Sequence, residues 1–404
     1  MNILYLTFYF KPDLCAGSFR NTPLVEELSA LLSADDHIHV VTTQPNRYQT
    51  FQVAAPPHEQ RGNLTIDRVT VPLHASGLTD QIRSFAAYYR AALRLTRNKQ
   101  YDVVVASSSR LFTAFLGAYL ARRRQLPLFL DIRDIFRETI LEMLKKPMIR
   151  LGLNPLLYLV ERFTFGYARH INLVSEGFRT YFSPYSQATY SFFTNGIDDE
   201  FLDTPVSTPK HRAGPRTLLY AGNIGEGQGL HKIIPQAARQ LGSGYRFVIV
   251  GDGGAKAKLL AAIDQAQVTN VEVRKPVDRT ELRQLYQQAD YLFLHLNDLK
   301  ALEKVLPSKL FEYASTDKPI VAGVAGYAGR FLTQYVDNCL LFTPGDADGL
   351  VRQLRQMPVT NASRAAFVAT FQRKTIVQQM ARQILQTANG RPTAEPVPVT
   401  PLPV

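Results

Sequence analysis

Cysteine is nearly absent: Cys15 and Cys339 are the two thiols in 404 residues. So wide a spacing builds neither a CxxC metal site nor a disulfide scaffold, and a reducing cytosol suits the chain. Long apolar runs are missing as well. The stretch Leu111 to Ala121, held between Arg110 and Arg122, falls far short of the ~20 residues a spanning helix needs. The opening MNILYLTFYFKP lacks the basic leader and small-residue cleavage site of a signal peptide, so no crossing of a bilayer is expected. Acids are scarce relative to bases. Forty-six Lys and Arg against 34 Asp and Glu leave 46 − 34 = +12, a balance that favours polyanions or anionic membrane surfaces without naming either. No GxxxxGK[ST] occurs, which disfavours a P-loop nucleotidase. The eight His show no HxxxH or HExxH spacing, so each is read as structural rather than as a ligand.

What remains is ordinary globular usage, 46% hydrophobic and 20% charged with 24 Gly and 24 Pro, long enough for two or three domains. Strand-like runs alternate with helix-like ones throughout. ILYLTFY, HIHVVTT, DVVVASS, PLFLDIR and HINLVS fill the first half; TLLYAG, RFVIVGDG, NVEVRKPV, DYLFLHL, PIVAGV and CLLFTPG fill the second. Short, almost wholly apolar strands are buried on both faces and hence parallel. Between them, Leu24, Leu28 and Leu31, or Leu230, Ile233, Ile234 and Ala237, recur at helical spacing. The pattern predicts an α/β protein of two doubly wound, Rossmann-like units facing each other across a cleft. The first domain is expected over residues 1–200 and a Pro/Ser/Thr/Gly-rich linker over 201–215. The second is expected over 216–362, then a helix over 363–390 capped by Ser363 and packing back toward the first domain, and a disordered tail over 391–404.

Ligands of such folds bind at the loops after the strands. In KPDLCAGSFRN, Gly17 and Arg20 offer backbone N–H groups and a guanidinium to an anion. It is not the GxGxxG fingerprint, and a plain turn with Gly at positive φ accounts for the same residues equally well. AGNIGEGQGL, residues 221 to 230, stands between a strand and a helix, and its glycines, Gly225 among them, permit close approach to a phosphate or sugar. VGDGG, with Asp252, ends the next strand in the same manner. In KVLPSKLFEYASTDKPIVAG, a helix started by Pro307 presents Ser308, Lys309 and Glu312 near its N-terminus. Its N–H groups, hydroxyl and ammonium suit a diphosphate. Glu312, one turn on, suits a ribose diol; a capped amphipathic helix remains the alternative.

Together these pieces resemble a family 4 glycosyltransferase of the GT-B architecture, in the branch that adds sugars during bacterial surface-polysaccharide assembly. The resemblance spans about residues 1 to 388. It rests on AGNIGEGQGL, VGDGG, ELRQLYQQADYLFLHL, PSKLFEY followed by KPIVAG, NCLLFTPGDADGL, LPLFLDIRDIF and TNGIDDEF, in that family's order. It implies a nucleotide sugar bound mainly on the second domain, the acceptor on the first, and retention of anomeric configuration without a bound metal or other cofactor. Residue by residue, Glu312 matches the ribose-holding second Glu of the family's paired-Glu motif, while Lys304 replaces the first. Asn223 and Gln228 stand where many members carry an Arg and a Lys against the diphosphate. Lys275, Pro276 and Val277 meet the nucleobase through backbone groups, and Ser308 and Lys309 hold the diphosphate. Arg133, near where relatives use a His, and Asp134 are first-domain candidates for the reacting centre; Lys309 is the third catalytic candidate.

The chemistry itself asks for little more. A sugar leaving a diphosphate builds negative charge on the departing oxygens, which cations stabilise, and that diphosphate can take the acceptor proton. In DAD, Asp346 to Asp348, an N-cap role is preferred to a metal site. Arg83, Arg90, Arg94 and Arg97 fall on one helical face. That face suits an anionic membrane surface holding a lipid-linked acceptor, and Lys145, Lys146 and Arg150 add a second basic stretch; nucleic acid is not an expected partner. The expected protein is a cytoplasmic, peripheral glycosyltransferase using a UDP-linked sugar and a lipid-linked or saccharide acceptor. A GT-B nucleotide-sugar epimerase and a catalytically silent sugar-nucleotide-binding subunit are the alternatives.

Overall fold

A computed structural model describes residues 1–46, 53–72, 78–108, 111–144, 147–202 and 214–390. Part of the expected linker (203–213), the expected tail (391–404), and Arg110, Lys145 and Lys146 lie outside the described residues. Contacts divide the described residues into two units, Met1–Asn195 with 374–390, and Gly196–Arg373.

Unit 1 runs β1 (Asn2–Leu6), α1 (Ala16–Leu31), β2 (His37–Thr43), β3 (His58–Arg61), β4 (Leu64–Val69), α2 (Leu78–Thr96), β5 (Val103–Ser108) and α3 (Leu111–Arg124). It continues with β6 (Leu128–Ile132), α4 (Phe136–Met143), α5 (Pro147–Phe165), β7 (His170–Leu173), α6 (Arg179–Phe182) and β8 (Thr189–Ser191). The sheet order is β3-β4-β2-β1-β5-β6-β7-β8, parallel except for β3 against β4. Ile3, Tyr5, Val40 and Val105 pack on Leu24 and Leu28 of α1. The sequence reading misses β3, β4 and β8. LTIDRV is fully buried although it carries Thr65, Asp67 and Arg68, because Asp67 accepts from His39 Nε2 and His58 Nδ1, both at 2.7 Å, and Arg68 pairs with Glu59 at 2.8 Å. A buried polar strand is tolerable only when its partners are in place.

Unit 2 runs β9 (Arg216–Ala221), α7 (Leu230–Leu241), β10 (Tyr245–Val250), α8 (Lys256–Ala266), β11 (Val271–Arg274), α9 (Arg279–Gln288) and β12 (Tyr291–His295). It continues with α10 (Lys309–Ala314), β13 (Ile320–Gly323), α11 (Gly326–Tyr335), β14 (Cys339–Phe342), α12 (Ala347–Gln356) and α13 (Ala365–Thr370). All six strands are parallel, in the order β11-β10-β9-β12-β13-β14. Alternation along β9 sends Leu219 to one core with Phe311 and Phe331, and Leu218 to the other with Ile233 and Phe293. Asp346 caps α12 by accepting from Gly349 N at 2.8 Å.

The single C-terminal helix expected over 363–390 is two helices, α13 and α14 (Arg373–Ala388). Ser363 caps neither; α13 starts after Arg364 without a side-chain cap. The break has a backbone cause: Ile197 N donates to Phe371 O (2.8 Å) and Arg373 N to Ile197 O (2.9 Å). Groups that pair across in this way cannot also close helical turns. Phe367 and Phe371 thus join the core of unit 2, and Met380 and Ile384 that of unit 1.

Candidate functional site

In unit 2, β9 and β12 are neighbours from which the strand order runs in opposite directions. Their connections diverge, and the crevice at their carboxyl ends is where doubly wound sheets bind ligands. The loop after β9 holds Gly222, Asn223, Gly225 and Gln228. Gly222 takes φ 138°, and a Cβ there would run into Lys309 Nζ. The glycine is thus what lets the ammonium reach the backbone. Lys309 also lies over the Tyr220 ring, 4.8 Å from its centroid, a cation–π contact. Burial lowers its pKa to about 8, with Glu312 opposing.

Glu312 Oε2 accepts from the buried Tyr286 hydroxyl at 3.0 Å. Burial raises the carboxyl, while Arg279 pulls it back. An ammonium on a glycine-lined backbone, with a carboxylate one turn behind, can hold a diphosphate and accept from a diol. Ser308 precedes α10 without a side-chain cap. α10 begins at Lys309, not at Pro307, and has only six residues. So short a helix sums few peptide dipoles, and the positive charge at this site is that of Lys309.

Asn223 and Gln228 act on each other. Asn223 Nδ2 donates to Gln228 Oε1 at 2.9 Å, and Gly225 N to the same oxygen at 3.1 Å. Asp252 bonds within the same loop cluster, its carbonyl accepting from Ile224 N at 2.8 Å. Lys275 is exposed and Val277 half-buried in the turn after β11, with Val277 packed on the unit 2 core. Lys304 closes the short 3-10 turn Lys300–Lys304 ahead of α10.

In unit 1 the two arginines separate. Arg20, expected to meet an anionic ligand, is instead a core residue. Its Nε and Nη2 fork onto Asp131 Oδ2 and Oδ1 at 2.8 and 2.9 Å, and its Nη1 and Nη2 donate to Thr194 O and Phe193 O at 2.7 and 2.8 Å. A guanidinium so engaged is no free anion ligand. Burial would raise the Asp131 carboxyl, but Arg20 holds it below the usual range. Arg133 differs. Its Nε and Nη1 are buried without a hydrogen-bond partner, and a Cβ on Gly17 would lie 2.9 Å from that Nη1. Asp134 beside it is exposed. Among the described residues no three His, Cys, Asp or Glu gather as a metal site.

The comparisons with known proteins bear on the whole chain. The sequence profile of the glycosyl transferases group 1 matches residues 206–370, and that of the glycosyl transferase 4-like domain matches residues 22–186. The chain belongs to the family 4 glycosyltransferases. An Escherichia coli (strain K12) protein named as a colanic acid biosynthesis glycosyl transferase, WcaI, is 27% identical over 193 residues. That match covers 46% of this chain and 46% of that one, about half the length of either. Solved structures of the same fold include Anabaena Alr3699/HepE in complex with UDP-glucose, at TM-score 0.66, 18% identity and coverage of 96% of this chain and 100% of that one. WaaG, a glycosyltransferase involved in lipopolysaccharide biosynthesis, matches at TM-score 0.63, 14% identity and coverage of 96% and 98%. The fold is that of GT-B glycosyltransferases.

Three residues of this family 4 chain escape the sequence reading although they shape the loop. His295 Nδ1 lies 2.7 Å from Gln228 O, and its Nε2 accepts from Gly345 N at 3.0 Å. Burial lowers its pKa to about 4, so the ring is neutral. Asn297 N and Nδ2 donate to Gly227 O and Glu226 O at 2.8 and 2.9 Å. Lys256 Nζ reaches Gly251 O at 3.3 Å. The available signal was the period of two in LHLND, which puts positions 295 and 297 on one face at the end of β12.

Proposed function

We propose that the protein is a retaining, metal-independent glycosyltransferase that moves a sugar from a UDP-linked donor to a lipid-linked or saccharide acceptor in surface-polysaccharide assembly. The observation that carries this reading is the Lys309 ammonium held over Gly222 at the reversal of the unit 2 sheet, with Glu312 one turn behind. The UDP bound in the Anabaena relative and the colanic acid in the E. coli relative's name support the donor and the process. In the reaction the bond between the anomeric carbon and the diphosphate oxygen breaks, the acceptor oxygen bonds to the same face, and its proton passes to the departing diphosphate. Lys309 stabilises the charge that grows on the leaving oxygens. Ser308 and Glu312 hold diphosphate and ribose, and the backbone at Lys275 and Val277 the base. Arg133, whose buried Nε and Nη1 have no hydrogen-bond partner beside Gly17, and Asp134 serve the reacting centre from unit 1.

The exposed Arg83, Arg90, Arg94 and Arg97 suit an anionic cytoplasmic membrane face holding the acceptor, and no helix among the described residues is long and apolar enough to cross it. Thermal unfolding with UDP, GDP, ADP and TDP tests the donor site. A ligand at 100 times its Kd stabilises by about 2.7 kcal/mol. UDP alone is expected to shift the wild type, and less so Glu312→Ala. No shift with any nucleotide refutes the site. A shift without sugar transfer to any acceptor favours the silent subunit, and a changed sugar left on the nucleotide favours the epimerase.

A further inference from the structure

We propose that the first half of α5 is a membrane-insertion element that docks the protein on an anionic bilayer. This deepens the membrane-facing reading of α2 given above and rests on it. Nine of the ten residues from Pro147 to Leu156 are exposed, Leu153 alone being partly covered. Their character is wrong for water: Met148 is 85% exposed, Leu151 79%, Leu156 58% and, one turn on, Leu159 60%. Met148, Leu151, Pro155 and Leu159 recur at intervals of three, four and four, a single stripe. Leu157, Glu161 and Thr164, on the opposite side, are buried. The helix is therefore amphipathic with its apolar stripe turned outward, and an apolar patch of this kind marks an interaction site.

Charge selects the partner. Phe85 of α2 packs on Phe112 of α3 at 5.2 Å between centroids, and Phe115 of α3 on Phe163 of α5 at 5.1 Å, so the three helices lie side by side. Together they carry eight arginines and two acids. One of those acids, Glu161, is turned inward, its carboxylate bonded to Arg137 Nε at 2.7 Å and to the Tyr181 hydroxyl. Exposed apolar side chains flanked by guanidinium groups fit acyl chains beneath phosphate headgroups: the phosphates accept from the arginines while leucine and methionine leave water. A protein partner would need acids matched to each arginine; a bilayer supplies mobile phosphates everywhere.

The test is co-sedimentation of the full chain with phosphatidylcholine vesicles with and without phosphatidylglycerol. Wild type is expected to pellet with the anionic vesicles and about tenfold less without them. Met148→Asp/Leu151→Asp is expected to weaken pelleting at least about tenfold, since two apolar anchors become charges. Arg83→Gln/Arg90→Gln is expected to weaken it by about fivefold per residue and to flatten its salt dependence. Unchanged pelleting of the Met148/Leu151 variant overturns the proposal, as does a wild type that ignores anionic vesicles. Dimerisation in the ultracentrifuge that this variant abolishes overturns it too, assigning the face to a second copy. The UDP-induced thermal shift is read on the same variant. Its retention with lost pelleting leaves the donor site standing and reports folding; its absence in wild type sinks the donor site without touching the vesicle result.

Discussion

Each unit sets a glycine that follows its first strand against a cation from later in the chain: Gly17, in the first turn of α1, against Arg133 in unit 1, and Gly222 against Lys309, the first residue of α10, in unit 2. The surroundings then diverge. Unit 1 holds a second buried guanidinium, Arg20, neutralised by Asp131 and two carbonyls, and leaves Arg133 Nε and Nη1 unbonded. Unit 2 offers Lys309, whose burial lowers its pKa to about 8, beside the uncharged amide pair Asn223 and Gln228. The contrast separates a guanidinium bonded into a core from one whose Nε and Nη1 stay unbonded, and a guanidinium that stays protonated from an ammonium that need not.

The contrast is broken most severely at Arg20. Arg20→Met takes from buried Asp131 its forked guanidinium and leaves it the hydrogen bonds of Asn172 and Ser107, and about 3–5 kcal/mol of stability should be lost in urea unfolding. Arg133→Met removes a buried cation that Asp131 and Asp134 attract at a distance but whose Nε and Nη1 make no hydrogen bond. Its unfolding midpoint should stay level or rise while sugar transfer falls, and equal destabilisation by the two substitutions would erase the distinction drawn here. Next in size is Lys309→Met. A hydrogen bond to a charged group contributes about 1.5–3 kcal/mol, so UDP affinity by calorimetry should drop about tenfold or more, without loss of stability.

Titration sharpens the same point. Because the Lys309 pKa is lowered, the ammonium is complete below about pH 8 and is lost as pH rises through that value. UDP affinity should be flat below it and weaken above, by at most about tenfold per pH unit. Lys309→Arg should abolish the slope if it binds at all. A wild-type affinity level to pH 10 would remove Lys309 from the phosphates. The smallest effect is expected at Gln228→Ala, which frees Asn223 Nδ2 and Gly225 N from Oε1. The loop should loosen by about 1 kcal/mol, seen as faster amide exchange at Gly225 more than as lost binding.

Legibility in the sequence follows the same division. The inner strands of unit 2, β9, β10, β12 and β13, announce themselves as apolar runs because they are covered on both faces, whereas the edge strand β11 alternates Val271 and Val273 with Glu272 and Arg274 and is only partly buried. In unit 1, β4 hides behind Asp67 and Arg68, which are acceptable in the interior only through His39, His58 and Glu59, on other strands. Local pattern carries no information about such partners. The candidate loop was readable because Lys309 and Glu312 lie three apart and the glycines beside them follow a strand. The fate of Arg20 was not, since nothing near it in sequence says that Asp131, 111 residues on, will accept from its Nε and Nη2. The break between α13 and α14 likewise depends on Ile197, whose pairing competes with the helix.

The Arg20 cluster also carries a statement about time. Its bonds join residues 111, 173 and 174 positions apart, so the fork on Asp131 waits for β6 to meet α1 and the bonds to Phe193 and Thr194 wait for the segment after β8. Closing such long loops is entropically slow, and interactions of this kind are absent from early nuclei. Losing the cluster should therefore speed unfolding far more than it slows folding. The ion pair acts as a latch, closing after the sheet has assembled and setting how long unit 1 stays shut.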